Sequence, residues 1–301
     1  MKKYLLTGGL ILFYALLLAQ TPKDTLWKTG GNLAITFAQT SLTNWAAGGE
    51  NSLAENSFLN LFANYKKGKS QWDNNLELAY GVLKIGTADP KKSEDRIDLS
   101  SKYGYKAFDS WFYSALFNFK SQFTPTYAFP GDTAKEMVSK FFSPGLLFFA
   151  LGLDYKPHEN LSVFISPLTL KTTLVLDDTL ASKGAYGVAG GHFDNTGKWV
   201  KGENIKQEIG GYLKFFFRKA LVENVDLQNK LELFSSYSEH PENIDINWEV
   251  LIAMKINKYL SANINTQLLY DDDIIIIDKD GNKGPRTQFK EVFGVGFSYK
   301  F

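Results

Sequence analysis

Residues 246–270 read INWEVLIAMKINKYLSANINTQLLY, and two runs of period two meet in them. Ile246, Trp248, Val250, Ile252, Met254 and Ile256 alternate with Asn247, Glu249, Leu251, Ala253, Lys255 and Asn257. After a short break, Leu260, Ala262, Ile264, Thr266, Leu268 and Tyr270 alternate with Ser261, Asn263, Asn265 and Gln267. Alternation places successive side chains on opposite faces of a strand, here one apolar and one mostly polar. Strands of soluble sandwiches alternate too, but they average about five or six residues. These runs reach the ~9–11 residues that a tilted strand needs to cross a bilayer.

The same pattern recurs along the chain. Strands are expected near 31–41, 55–66, 70–84, 96–106, 111–123, 145–155, 161–175, 205–218, 225–238, 245–257, 260–276 and 286–301. That is about twelve, and single-chain bacterial barrels have an even number. The connections then sort into tiny ones, around Gly68, Asp109, His158, Glu223 and Lys258, and mostly long ones, at 42–54, 85–95, 124–144, 176–204 and 277–285, with 239–244 the short exception. Short periplasmic turns and long outer loops are the asymmetry of an outer-membrane barrel. The expected fold is therefore all-β: a transmembrane, antiparallel, up-and-down β-barrel of about 12 strands.

Composition agrees. The 301 residues carry a formal charge of +1, which disfavours nucleic acid as a partner, and no cysteine, which excludes disulfides, thiolate metal sites and a lipoprotein anchor. With 24 Phe, 15 Tyr and 6 Trp the chain is rich in aromatics, yet its mean hydropathy is slightly polar. A barrel in lipid reconciles the two by carrying its rings on the outside. At the N-terminus, Lys2 and Lys3, the apolar stretch Leu5 to Leu18, and Ala19 before Gln20 have the order of a cleaved export signal. That run falls short of the ~20 apolar residues of a membrane-spanning helix. The expected division is a signal peptide over 1–19 and one barrel domain over 20–301, placed in the outer membrane with its lipids as the surroundings.

The final strand is a second local signal. Phe293, Val295, Phe297, Tyr299 and Phe301 alternate with Gly294, Gly296, Ser298 and Lys300. Gly296, Tyr299 and Phe301 resemble the terminal-strand pattern read by the barrel-assembly machinery, although position 294 is Gly where that pattern has a polar residue. Near the start, Trp27-Lys28-Thr29-Gly30-Gly31, Gln39, and Asn44-Trp45-Ala46-Ala47-Gly48-Gly49-Glu50-Asn51 stand in order, followed by Asn64-Tyr65-Lys66-Lys67-Gly68-Lys69 and Trp72-Asp73. These stretches resemble an uncharacterised family of Bacteroidetes outer-membrane proteins that carries a domain of unknown function. The resemblance implies a barrel in the envelope and transfers no catalytic residue.

Function is less legible. On the strand pattern Asp73, Glu77, Arg96, Asp98, Lys102, Lys106, Lys214, Arg218, Asp226, Lys230, Glu232, Glu249, Lys255 and Lys290 point into the lumen. A Lys or Arg there avoids the ~2–4 kcal/mol that it costs on the lipid face at mid-membrane. Both signs occur, so the interior is either a plug of mutually neutralising charges or a narrow wet pore. The histidines His158, His192 and His240 are the groups suited to neutral acid–base work. His192 has Asp194 nearby, and His240 stands between Glu239 and Glu242. A rim hydrolase of lipid or peptide built on such a pair is the alternative to a channel or structural barrel, but no Gly-x-Ser-x-Gly motif is present. Asp271, Asp272 and Asp273, with Asp278, Asp280 and Asn282, offer oxygen ligands, but the glycine comes too early for a calcium loop, and Asp280-Gly281 is better read as a hairpin turn. The glycines from Gly184 to Gly191 lack the Lys-Ser or Lys-Thr of a phosphate loop. No cofactor or metal is expected.

Overall fold

A computed structural model describes residues 26–42, 50–128, 136–277 and 282–301. The expected leader, the segment 43–49 and the turn at 278–281 lie outside them. Twelve strands form one closed antiparallel barrel. They are β1 (Trp27–Thr40), β2 (Ser52–Lys67), β3 (Ser70–Ile85), β4 (Lys91–Phe108), β5 (Trp111–Ser121), β6 (Gly145–His158), β7 (Leu161–Leu174), β8 (Ile205–Val222), β9 (Val225–Ser236), β10 (Asp245–Lys255), β11 (Leu260–Tyr270) and β12 (Gln288–Lys300). Each pairs with its neighbours in the chain, and β12 closes on β1. All twelve expected strands are present, and among the described residues no helix is long and apolar enough to cross a membrane. Most boundaries shift by one to five residues, with β4 beginning at Lys91 and β8 running on to Val222, and the largest difference is that β11 stops at Tyr270. Asp271 accepts a hydrogen bond from the Asp273 amide and turns the chain, so Ile275–Ile277 pairs with Lys283–Pro285 in a hairpin outside the wall.

The face assignment follows from register. On β12, Phe293, Val295, Phe297 and Tyr299 are exposed while Gly294 and Gly296 are buried. Rings gather at the short-turn end, where Trp27 lies 5.1 Å from Tyr65 and 6.0 Å from Trp72, and Trp111 lies 5.0 Å from Tyr155. Such a girdle suits side chains that are half in lipid and half hydrated. In a bilayer, Val295→Lys should therefore lower barrel stability by about 2–4 kcal/mol, whereas Ser298→Lys, on the inner face, should leave it nearly unchanged. Urea titration of the two variants in detergent–lipid vesicles checks this, and equal midpoints would mean that the faces are exchanged.

The closing ladder, Asn32–Lys300 to Phe37–Val295, is the shortest of the twelve. It is extended by Phe301. The Gly31 amide donates to the Phe301 carbonyl at 2.9 Å, and the Phe301 amide donates back at 3.1 Å. A Cβ on Gly31 would stand 2.6 Å from Phe301 Cζ and 2.7 Å from the Asn60 carbonyl; one on Gly296 would stand 2.0 Å from the Ile35 carbonyl. At Gly31 and Gly296 the first and last strands therefore meet with no room for an added side chain.

At the long-loop end, the connection from β7 to β8 folds into a cap. Its helix α1 (Asp178–Ser182) is capped by Asp177, whose carboxylate accepts from the Thr179 and Leu180 amides. Val175, Leu180, Ala181 and Val188 form its core, with Met137 and Tyr186 against them. Lys140 binds Asp177 at 2.7 Å, and this hydrogen bond holds the Asp177 carboxyl below the usual carboxylate range. Burial pushes the Tyr186 hydroxyl up to about 12.

Candidate functional site

The inward faces of the strands bring charged residues together in pairs, most of which reach over the lumen between strands that are not neighbours. Arg96 on β4 donates through Nη1 to both Glu249 oxygens on β10, at 3.0 and 2.9 Å. Lys230 on β9 binds Glu77 on β3. Lys120 on β5 and Lys214 on β8 share Glu232 on β9, the latter at 2.9 Å. Lys290 on β12 reaches Glu94 on β4 at 2.7 Å. Lys156 on β6 reaches Asp73 on β3 at 2.6 Å, and Lys102 on β4 reaches Asp154 on β6 at 2.6 Å. Asp98 accepts from Asn118 at 2.6 Å. Of the remaining residues named from sequence, Arg218 pairs with Asp226 at 3.0 Å in the open, and Lys106 and Lys255 are exposed at the short-turn mouth.

Two of these pairs set the shape of the interior. In the ring of twelve, β4 lies opposite β10, and β3 opposite β9. A circular barrel of this size, with strands ~4.8 Å apart and tilted ~40°, would be about 24 Å across between backbones. An arginine and a glutamate in contact span only about 15 Å between their Cα atoms. The Arg96–Glu249 and Lys230–Glu77 pairs therefore require an oval section, pinched along the β3–β4 and β9–β10 line into two lobes.

The lobes differ. On the β5–β8 side the interior is filled. Leu116, Phe148, Phe164 and Tyr212 point inward and pack with Phe234 of β9, all 8 % exposed or less. Ring centroids lie 5.6 Å apart for Phe148–Tyr212 and 6.1 Å for Phe148–Phe234. The cap stands on the loops that join these strands. On the other side, β11, β12, β1 and β2 turn Asn263, Asn265, Gln267, Ser298, Asn32, Asn56, Asn60 and Asn64 inward, and all are half-buried. Gly294, Gly296 and Ala34 keep this wall thin. Between Lys290 and the short-turn mouth, no charged side chain lies on this inner face among the described residues.

The mouths carry opposite charge. At the long-loop end, Glu208, Glu239, Asp245, Asp271, Asp272 and Asp273 surround Lys171 and Lys206. Lys171 lies 2.6 Å from Asp245 and 3.8 Å from Asp271, and Lys206 lies 2.7 Å from Asp273. Burial raises the Asp271 carboxyl above the usual range, with Lys171 opposing. Oxygens of Asp245, Asp271 and Asp272 approach within 4.8 Å of one another, but Lys171 holds two of these residues and Asn243 the third, at 2.7 Å. At the short-turn end, Lys66, Lys106, Lys255 and Lys300 are exposed on the inward register. Of the histidines, His158 and His192 are exposed, and His240 Nδ1 lies 3.3 Å from Glu242 in open solvent. Among the described residues no hydroxyl forms a hydrogen bond with the His240 ring.

Sequence reading missed Lys120, Asp154, Lys171, Glu208 and Lys206, all inside expected strands, and Lys156, one residue past the expected end of its strand. It also passed over the alternation of asparagine and phenylalanine along β2.

The class defined by these features is a closed twelve-stranded antiparallel barrel with a polar, partly filled lumen. Residues 37–127 match the family described as "Protein of unknown function (DUF3078)". No curated protein matches the chain. Among solved structures, the chain is similar to an outer membrane channel from Pseudomonas putida F1, at 10% identity over 93% of this chain and 99% of the other, with a TM-score of 0.40. The translocator domain of the autotransporter NalP from Neisseria meningitidis is similar at 10% identity over 98% and 95%, with a TM-score of 0.39. The NanC porin is similar at 9% identity over 89% and 98%, with a TM-score of 0.38.

Proposed function

We propose that the protein is a narrow, non-enzymatic channel of the outer membrane, exported through a leader over residues 1–19 and inserted by the barrel-assembly machinery. The observation that carries this reading is the unequal lumen. One lobe is packed solid, while the other keeps a half-accessible, uncharged polar wall along β11, β12, β1 and β2. An apolar outer face with an aromatic girdle at the short-turn end, on strands of 11 to 18 residues, supports the location. A closed sheet is also the form in which strands leave no backbone group unpaired in lipid.

Planar-bilayer recording tests the channel. The purified protein should give small, reproducible current steps with weak ion selectivity, because the mid-lumen charges are paired and the two mouths carry opposite signs. Folded, heat-modifiable protein that gives no steps would overturn the channel and favour a structural barrel. Orientation has its own test. With the cap outside, Asn195→Cys should react with an impermeant maleimide on intact cells, and Lys69→Cys only after lysis. The opposite result would invert the topology.

A further inference from the structure

The inner face of β2 specifies the kind of solute. Asn56, Phe58, Asn60, Phe62 and Asn64 follow one another along it, all half-buried. Alternate residues of a strand share a face, so the two rings stand ~13 Å apart with Asn60 between them and an asparagine beyond each. That spacing is comparable to the length of a trisaccharide.

Both rings lie over small neighbours. Phe62 is opposite Gly30 on β1, and a Cβ added to Gly30 would come within 2.8 Å of Phe62 Cζ. Phe58 is opposite Ala34 on β1 and Ala79 on β3, and both alanines are buried. Each ring thus rests on the wall and keeps part of its surface toward the open lobe. The amides around them retain hydrogen-bonding capacity. Asn60 donates to Asn75 Oδ1 at 2.7 Å, which leaves its own Oδ1 to accept. The side chains of Asn64, and of Asn263 and Asn265 on the facing strand β11, make no hydrogen bond among the described residues. An amide side chain offers both donors and an acceptor and bears no charge.

We infer that the solute passing through this lobe is a neutral sugar or short oligosaccharide, seated on Phe58 and Phe62 and hydrogen-bonded by the surrounding asparagines; this rests on the channel reading. A sugar ring has an apolar face of C–H groups and a rim of hydroxyls, each able to donate and accept. Stacked aromatic surface with neutral amides at its edges complements both parts. A charged solute would instead need an unpaired opposite charge along the route. The mid-lumen ion pairs satisfy one another, so the wall offers it none.

The test is current block by maltotriose in planar bilayers containing the full-length protein. Maltotriose should close the open channel reversibly, with a half-blocking concentration that is independent of voltage sign. A polyethylene glycol of similar size and a tri-glutamate peptide should produce no resolved closures. Phe58→Ala and Phe62→Ala should each preserve or enlarge the sugar-free current while weakening the block by about tenfold, the factor that corresponds to losing one ring contact of about 1.4 kcal/mol. Phe62→Tyr should retain the block. Normal current without maltotriose block, block that is equal in the alanine variants, or stronger closure by tri-glutamate would overturn the sugar assignment and leave the channel standing. Absence of current from the folded protein would overturn both.

Discussion

Gly296→Val is expected to abolish the folded barrel. The added Cβ would stand 2.0 Å from the Ile35 carbonyl and 2.6 Å from Thr36 Cα, and both are backbone atoms of β1 that cannot swing away. The strands would have to separate at the place where the closing ladder is already shortest. Each backbone group left unpaired in hydrocarbon costs several kcal/mol, and an open edge exposes a row of them. A folded barrel has no reserve of that size. The heat-modifiable band in outer-membrane fractions should vanish, and the chain should become protease-sensitive. Gly284→Val is the matched control: no atom lies within 4 Å of its added Cβ, so that variant should assemble normally. Wild-type assembly of Gly296→Val would show that the seam lies elsewhere.

The second large effect concerns the pinch. Replacing Arg96 and Glu249 together by alanine removes one of the two diametric ties without leaving a buried charge unpaired. The Lys230–Glu77 pair remains to hold the wall. Conductance should rise severalfold, because the two lobes become continuous over that level and the narrowest section widens. Glu249→Ala alone should behave differently. It leaves the Arg96 guanidinium without its main partner, which in a dry interior costs about 3–5 kcal/mol and less where water enters. The single variant should lose stability with little gain in current, and the double variant should recover stability. Unchanged conductance in the double variant would mean that the permeation path does not pass this level.

The strand pattern was legible because lipid and lumen impose opposite chemistry on successive residues, as in Phe293 to Phe301. The lumen was legible only in part, for two reasons. On β5 and β6 the inward residues Leu116, Phe148 and Ala150 are as apolar as the outward ones, so the alternation that marks a face is lost, and Lys120, Asp154 and Lys156 were passed over with it. On β7, Pro167 sits in a bulge where the register against β6 and β8 shifts. Ser162, Phe164 and Ser166 face inward before it, and Thr169, Lys171 and Thr173 after it, so strict alternation from Leu161 puts Lys171 on the wrong side. Cross-lumen partners cannot be read from spacing at all. Arg96 and Glu249 are 153 positions apart, and their pairing depends on which strands stand opposite once the ring has closed.

On the proposed channel reading, the opposite charges of the two mouths should make the pore a rectifier. Cations would concentrate at the acidic long-loop mouth, outer in the proposed topology, and anions at the basic short-turn one. When the outer side is positive, both are driven from the mouth that favours them toward the middle, carriers accumulate, and current rises. Under the reverse polarity both are drawn out and the middle is depleted. The asymmetry should fade as salt increases, because the screening length falls from about 10 Å at 0.1 M to about 3 Å at 1 M, less than the width of the mouths. The sign of rectification at low salt then reports which way each single molecule has inserted, and lets a sugar added to one chamber be assigned to the outer or the inner entrance.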